Sequence, residues 1–283
     1  RDSVASRGLG DVYKRQILFT PKREMVMRLK STLIASAAVL AMGVVSGAQA
    51  GTLEDVQSRG TLRCVVSTGI AGFAQPDANG VWGGFDIDFC RATAAAVLGD
   101  ASKIEAVTST GKTRFTKLNA GEGDVLWRNT TITFSRDVGV KLRFHGVNYY
   151  DGQGFMVNKK LGVKSAKDLG GASVCIQTGT TTELNLADYF HANGMKYEAV
   201  AIETNDEARQ NYMSGRCDVY TTDASGLAAT RSTFPDPQNH VILPEIISKE
   251  PLGPATRHGD DQWSDIVTWV YYATVTAEEL GVT

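Results

Sequence analysis

The 283-residue chain carries no Ser-His-Asp pattern and no phosphate-binding loop, and it has only four histidines, His145, His191, His240 and His258. Triad hydrolysis and nucleotide chemistry therefore lack their signatures. Its four cysteines include no pair at C-x-x-C spacing, which argues against a thiolate metal site. No apolar run reaches the roughly 20 residues of a membrane-spanning helix; the longest, from Leu33 to about Gly47, is shorter. Positive charge is concentrated at the start. Residues 1–30 hold eight Lys/Arg against three Asp/Glu and residues 31–50 hold none, so the chain's net −2 becomes −7 over residues 51–283. An acidic surface is a poor nucleic-acid partner, and no nucleic acid is expected.

The chain opens on Arg1, and residues 1–16 resemble translated sequencing-adapter read-through, so 1–24 is read as a non-native leader. From Met25, the basic Arg28 and Lys30, the apolar run and the triplet Ala48-Gln49-Ala50 together form a signal peptide over residues 25–50. Export into an oxidising space predicts disulfides. Four cysteines allow three pairings, and Cys64–Cys90 with Cys175–Cys217 is preferred because each couple joins a strand to another element of its own half.

Strands and helices alternate, which predicts parallel sheets covered on both faces. Leu62–Thr68 reads as a strand, followed by a loop through Gly69 to Pro76 in which Phe73 either covers a ligand or plugs the core. A helix opens after Gly84, where Asp86 and Asp88 fit caps better than catalytic carboxylates. Ile104–Thr110, Lys112–Ala120 and Asp124–Trp127 continue as strand, helix and strand. In the second half Tyr149–Val157 reads as one crossover strand and Ser173–Ile176 as a buried one. Thr180 and Glu183 form a capping-box pattern, and the free N–H groups at that helix start also suit an anion. Tyr197–Ile202, Glu207–Ser214 and Asp218–Thr222 repeat the strand–helix–strand order. Val241–Pro244 and Pro251–Arg257 read as return segments. The last helix, Asp261–Leu280, is expected to bury Trp263, Ile266, Val267, Trp269, Val270 and Ala273.

The most informative stretch is Asp124–Asp137, DVLWRNTTITFSRD. Beyond its short strand it presents Asn129, Thr130, Thr131, Thr133 and Ser135 and closes on Arg136, whose planar fork grips a carboxylate. The alternative is a polar loop with Arg136 paired to Asp137 at the surface. Ninety-four positions on, Gly215-Arg216-Cys217-Asp218-Val219 repeats Gly121-Glu122-Gly123-Asp124-Val125, and in that register Asn129 falls on Asp223. Asp223 is then either a helix N-cap or a ligand group at a strand end. Two such units facing each other would set Arg136 opposite Asp223, an arrangement suited to a zwitterion.

Several segments in order resemble the periplasmic substrate-binding proteins of polar-amino-acid ABC transporters, closest to their general L-amino-acid branch. They are Gly84 to Ala92, Asp124 to Asp137, Asn148 to Phe155, Gln177 to Glu183, Gly215 to Asp223 and Lys249 to Pro254. The resemblance covers nearly all of 51–283. It implies an α/β fold of two Rossmann-like lobes joined by two hinge strands, the type II periplasmic binding architecture. The first lobe would comprise 51–150 and 248–283, incomplete because the chain stops where relatives continue, and the second 151–247. It implies capture of an L-amino acid without a cofactor or metal, delivery to inner-membrane permease subunits, and a periplasmic monomer. Arg136, helped by Thr131 and Thr181, would hold the α-carboxylate, while Asp223 and Asn129 would serve the ammonium. Phe73 and Thr180 complete the expected ligand set. Ile70, Trp127 and Ile132 depart from residues usual in relatives. The rival readings are a periplasmic arogenate- or prephenate-type dehydratase on the same scaffold and a receptor sensor domain.

Overall fold

The computed structural model describes residues 51–282. The leader placed at 1–24, the signal peptide placed at 25–50 and residue 283 lie outside the described residues. Among those described, no helix is long and apolar enough to cross a membrane.

The first half runs α1 (Thr52–Arg59), β1 (Leu62–Ser67), β2 (Gln75–Pro76), β3 (Trp82–Gly83), α2 (Phe85–Leu98), β4 (Ile104–Ser109), α3 (Arg114–Asn119), β5 (Val125–Leu126), β6 (Leu142–Phe144) and β7 (Tyr149–Asp151). The second runs β8 (Gln153–Asn158), β9 (Ser173–Gln177), α4 (Thr181–Ala192), β10 (Glu198–Ile202), α5 (Asn205–Met213), β11 (Val219–Asp223), α6 (Ala224–Ser232) and β12 (His240–Ile242). The chain then returns through β13 (Glu250–Leu252), β14 (Ala255–Arg257) and α7 (Asp261–Glu279).

Two five-stranded sheets result, ordered β4-β1-β5-β14-β6 and β10-β9-β11-β8-β12. In each, the three leading strands are parallel and the fourth is antiparallel to its neighbour. The 94-residue repeat is thus structural: β4-α3-β5 wraps β1 as β10-α5-β11 wraps β9. Even the register clamps correspond. Asp124 accepts from Arg63 N at 2.8 Å and Asp218 from Ser173 N at 3.1 Å, each locking the start of the third strand onto the first. Two matching caps open α4 and α5, where Thr180 Oγ1 accepts from Glu183 N and Thr204 Oγ1 from Glu207 N.

Each half encloses its own apolar core. Cys64, Val66, Ile87, Trp127 and Trp263 are among the residues filling one, and Phe155, Val174, Leu186 and Phe190 among those filling another. The preferred disulfides are present: Cys64–Cys90 ties β1 to α2, and Cys175–Cys217 ties β9 to the turn before β11. In a chain-entropy account, loops of this size contribute about 3–4 kcal/mol each.

Three expectations are corrected. Tyr149–Val157 is two strands: Gly152 divides β7, which pairs antiparallel with β13 in a ribbon of its own, from β8 in the second sheet. A Cβ at Gly152 would come within 2.8 Å of Ser248 O, so glycine permits this turn between sheets. β12, which overlaps the expected return segment Val241–Pro244, instead pairs with β8 and belongs to the second sheet. Trp269, 70% exposed, and Ala273, also exposed, are not buried as expected. Trp269 stands six residues beyond Trp263, about 120° round the helix from the stripe of Trp263, Val267 and Val270 that faces the core.

Candidate functional site

Parallel strands deliver their following loops to one sheet edge, and open α/β sheets bind ligands there. In the first sheet, β1 and β5 lead into the 68–75 loop and the 127–136 segment; in the second, β9 leads to the start of α4 and β11 ends on Asp223. The ribbon β7–β13 is where the chain crosses between sheets. The lobes are closed on each other. Asn205 Nδ2 donates to Gly69 O at 3.2 Å, Lys112 Nζ lies 3.5 Å from Glu203 Oε1, and Gly111 and Gly179 let the two backbones touch.

Arg136 sits in a π-type turn, Ser135–Gly139, that turns it inward to 6% exposure. Its Nη1 donates to Thr131 O at 2.7 Å and its guanidinium lies 5.1 Å from the centre of the Phe115 ring. The alternative surface pair with Asp137 does not form; Asp137 faces His258 at 3.4 Å. Burial lowers Arg136 to about 10, opposed by the negative charges of Glu250 and Asp223.

Asp223 is 6% exposed and occupies the N-cap position of α6, yet its side chain makes no capping bond. Burial pushes its carboxyl up to about 7, with Asp151 and Glu250 adding repulsion and Arg114 and Arg128 opposing. A buried carboxylate released from capping is a good receptor for an ammonium. On the facing lobe, Asn129 Oδ1 is buried without a partner among the described residues.

Thr131 and Thr181 are brought together, 3.3 Å apart between hydroxyls, across the lobes. Both donate to one acceptor, Glu250 Oε2, at 2.6 and 2.8 Å. Glu250 Oε1 accepts from Asn185 Nδ2 at 2.7 Å and Ser248 Oγ at 2.6 Å. Glu250 stands on β13 at 2% exposure, so a carboxylate of the protein itself takes the hydroxyl pair expected to help hold the ligand. Each hydroxyl has a single proton to donate. Arg136 and the unbonded N–H groups at the start of α4 remain as donors for a ligand carboxylate.

Thr180 caps α4 and also donates to Gln177 O at 2.7 Å, which shapes the helix start. Phe73, 8% exposed, packs edge-on against Phe85 at 6.1 Å and Tyr149 at 5.5 Å. Its loop is fixed because Gly72 O and Phe73 O accept from Phe85 N and Asp86 N, the first donors of α2. Gly84 sits at φ 114°, where a Cβ would strike Phe73 O at 2.5 Å.

Sequence reasoning missed Glu250, Arg114, Arg128 and the role of Asp86. The preferred cap reading fails at Asp86: the N-cap is Gly84, and Asp86 is 2% exposed, its carboxyl raised to about 7 by burial against the pull of Arg128 and Asn129 N–H. Asp88 instead pairs with Arg91 at 3.1 Å near the surface. Trp127 belongs to the core, stacked 4.7 Å from Phe89 with Nε1 donating to Thr93 Oγ1. Ile70 lines a cavity of about 250 Å³ between the 69–75 loop and α5–α6, shared with Gln75, Asn205, Arg209 and Thr230. Among the described residues no group of three or more His, Cys, Asp or Glu is placed to hold a metal ion.

The family model described as bacterial extracellular solute-binding proteins, family 3, matches residues 62–278. The glutamate/glutamine/aspartate/asparagine-binding protein BztA of Rhodobacter capsulatus is 59% identical over 254 residues, spanning 90% of this chain and 75% of that protein. The general L-amino acid-binding periplasmic protein AapJ of Rhizobium johnstonii is 56% identical over 258 residues, with the same shares. Among solved structures, an ABC transporter/periplasmic binding protein from Brucella ovis with glutathione bound superposes with a TM-score of 0.80 at 55% identity, covering 83% of this chain and 74% of that one. These relatives are binding proteins, and the two-lobed fold is theirs. By the span of the family model and the identity to its members, the chain belongs to the bacterial extracellular solute-binding proteins, family 3.

Proposed function

We propose that this protein is a periplasmic solute-binding protein that captures an L-amino acid between its lobes and presents it to the permease subunits of an ABC transporter, acting as a monomer. The observation that carries the reading is the placement of two nearly buried groups of opposite charge type on facing lobes, Arg136 at one sheet edge and Asp223 at the other. A zwitterion offers a carboxylate to Arg136 and an ammonium to Asp223, whose ionised form is costly so deep without such a partner. The names of the relatives support the ligand class and the compartment. Binding rather than catalysis follows the same relatives, and Asp223 and Arg136 need only hold the ligand to perform it.

The test is calorimetry of the protein with each of the twenty amino acids. At least one is expected to bind, and Arg136→Ala should weaken it by at least about tenfold, the equivalent of about 1.4 kcal/mol for a lost charged hydrogen bond. Arg136→Lys should recover part of the loss, because it restores charge without the planar fork. Absence of binding by all twenty sinks the proposal.

A further inference from the structure

The arginines of the cleft offer more donors than the protein uses. A guanidinium has five N–H groups. Arg114 Nη1 reaches Asn129 O at 3.3 Å and Thr130 Oγ1 at 3.4 Å, both long, and Arg136 Nη1 reaches Thr131 O. The Nε atoms of Arg114 and Arg128 have no partner among the described residues, although both residues are only 3% exposed. Orphaned acceptors lie on neighbouring groups, Asn129 Oδ1 and Asp86 Oδ2. Buried polar atoms are nearly always bonded, so a cluster left open marks a place that something else fills.

The guanidiniums are also close to one another. Those of Arg114 and Arg136 lie over the same Phe115 ring, 4.8 and 5.1 Å from its centre. Burial lowers Arg114, and the charges of Arg128 and Arg136 push the same way, while Asp223 and Glu250 oppose. Arg128 is lowered to about 10 by burial, with Asp86, Arg136 and Asp223 in reach. Asp223, on the opposite lobe, attracts both Arg114 and Arg128. One ligand α-carboxylate satisfies one guanidinium through two parallel bonds. With Arg136 so used, the Nε atoms of Arg114 and Arg128 remain without an acceptor among the described residues, and Asp86, whose charge acts on Arg128, is pushed by burial toward its neutral form.

We propose that Arg128, backed by Arg114, forms a second anion subsite that receives the side-chain carboxylate of the ligand, so that acidic amino acids are the preferred cargo. The inference rests on the amino-acid reading above and deepens it. The subsite discriminates by chemistry that an apolar side chain cannot supply: a ligand lacking the distal carboxylate leaves the open Nε donors of Arg114 and Arg128 without an acceptor.

Calorimetry with L-glutamate and L-norvaline, similar in chain length but differing in the distal carboxylate, tests it. In the parent protein glutamate should bind at least about tenfold more tightly than norvaline, as expected for a charged hydrogen-bonded pair. Arg128→Met should bring the ratio toward one. Equal affinities in the parent overturn the inference, as does a ratio that Arg128→Met leaves unchanged. If circular dichroism shows that Arg128→Met does not fold, Arg128→Lys takes its place, and its ratio should drop several-fold because the fork is lost; an undiminished ratio is again fatal. If neither ligand, nor any of the twenty amino acids, binds the parent, the amino-acid reading fails along with the inference, whereas binding of other amino acids with no preference for glutamate removes the inference alone.

Discussion

A carboxyl held near 7 makes Asp223 sensitive to pH in the range where the protein would work. The sign follows from its position. Between about 4 and about 7 the folded, ligand-free form holds a proton on Asp223 that the unfolded chain has released, so this residue's contribution to stability falls as pH rises through that window. His145 acts in the opposite sense: burial, with Arg143 adding repulsion, lowers it to about 4, so its contribution is lost as pH falls from about 6.5 to 4. For binding, a ligand ammonium beside Asp223 favours the ionised form and lowers its pKa. Capture at pH 6 should therefore release a proton, and affinity should climb from pH 5 to 7. Calorimetry at pH 6 in two buffers of different ionisation enthalpy reads that proton directly. Identical heats in both buffers would contradict the assignment, and Asp223→Asn should abolish both the proton release and at least about tenfold of the affinity.

Elements were legible in the sequence where a local pattern sufficed, and less so where tertiary packing decided. The repeat was visible because β5 and β11 follow the same glycine turn and aspartate, and the aspartates proved to be matching clamps onto β1 and β9. The disulfides followed from the same logic of strand and partner. Glu250 was invisible because its donors are remote: Thr131 lies 119 positions away, and nothing around Lys249-Glu250-Pro251 says which way the side chain points. Asp86 misled because an aspartate at a helix start normally caps, whereas here the loop carbonyls of Gly72 and Phe73 already occupy the first donors of α2. The contact between the β4–α3 turn and the start of α4 was equally hidden, and it gives a prediction for those elements. A Cβ on Gly111 would lie 2.7 Å from Thr178 O, and one on Gly179 2.9 Å from Lys112 Cγ. Gly111→Ala should hold the lobes apart and weaken ligand binding by about tenfold, a penalty of about 1.4 kcal/mol on the closed form. The contact is between lobes and not within a core, so the melting temperature of the ligand-free protein should stay within a few degrees of the parent. A variant that binds as tightly as the parent would mean that closure does not need this contact.

For the whole molecule, the governing quantity is the balance between open and closed lobes. The apparent Kd is the intrinsic Kd divided by the fraction of molecules already competent to bind, so any internal contact that favours closure tightens binding. Glu250 is such a contact. Its backbone belongs to β13 in the ribbon between sheets, its Oε2 holds Thr131 beside that ribbon, and Thr181 and Asn185 reach it from α4. Thr131 also forms a backbone bridge to Leu252, which keeps it with β13. Opening must therefore break the bonds from Thr181 and Asn185 while leaving the rest. Hydrogen bonds to a charged group are typically worth about 1.5–3 kcal/mol each, enough for the pair to bias the equilibrium toward the closed form without ligand. Glu250→Ala removes the acceptor and frees both hydroxyls. Small-angle scattering of the ligand-free variant should then give a larger radius of gyration than the ligand-free parent, and saturating ligand should bring the two together. Affinity should fall by the same factor as the closed population. If the ligand-free variant scatters like the parent, Glu250 fills the cleft without holding it shut, and a loss of affinity would then come from the altered ligand site rather than from opening.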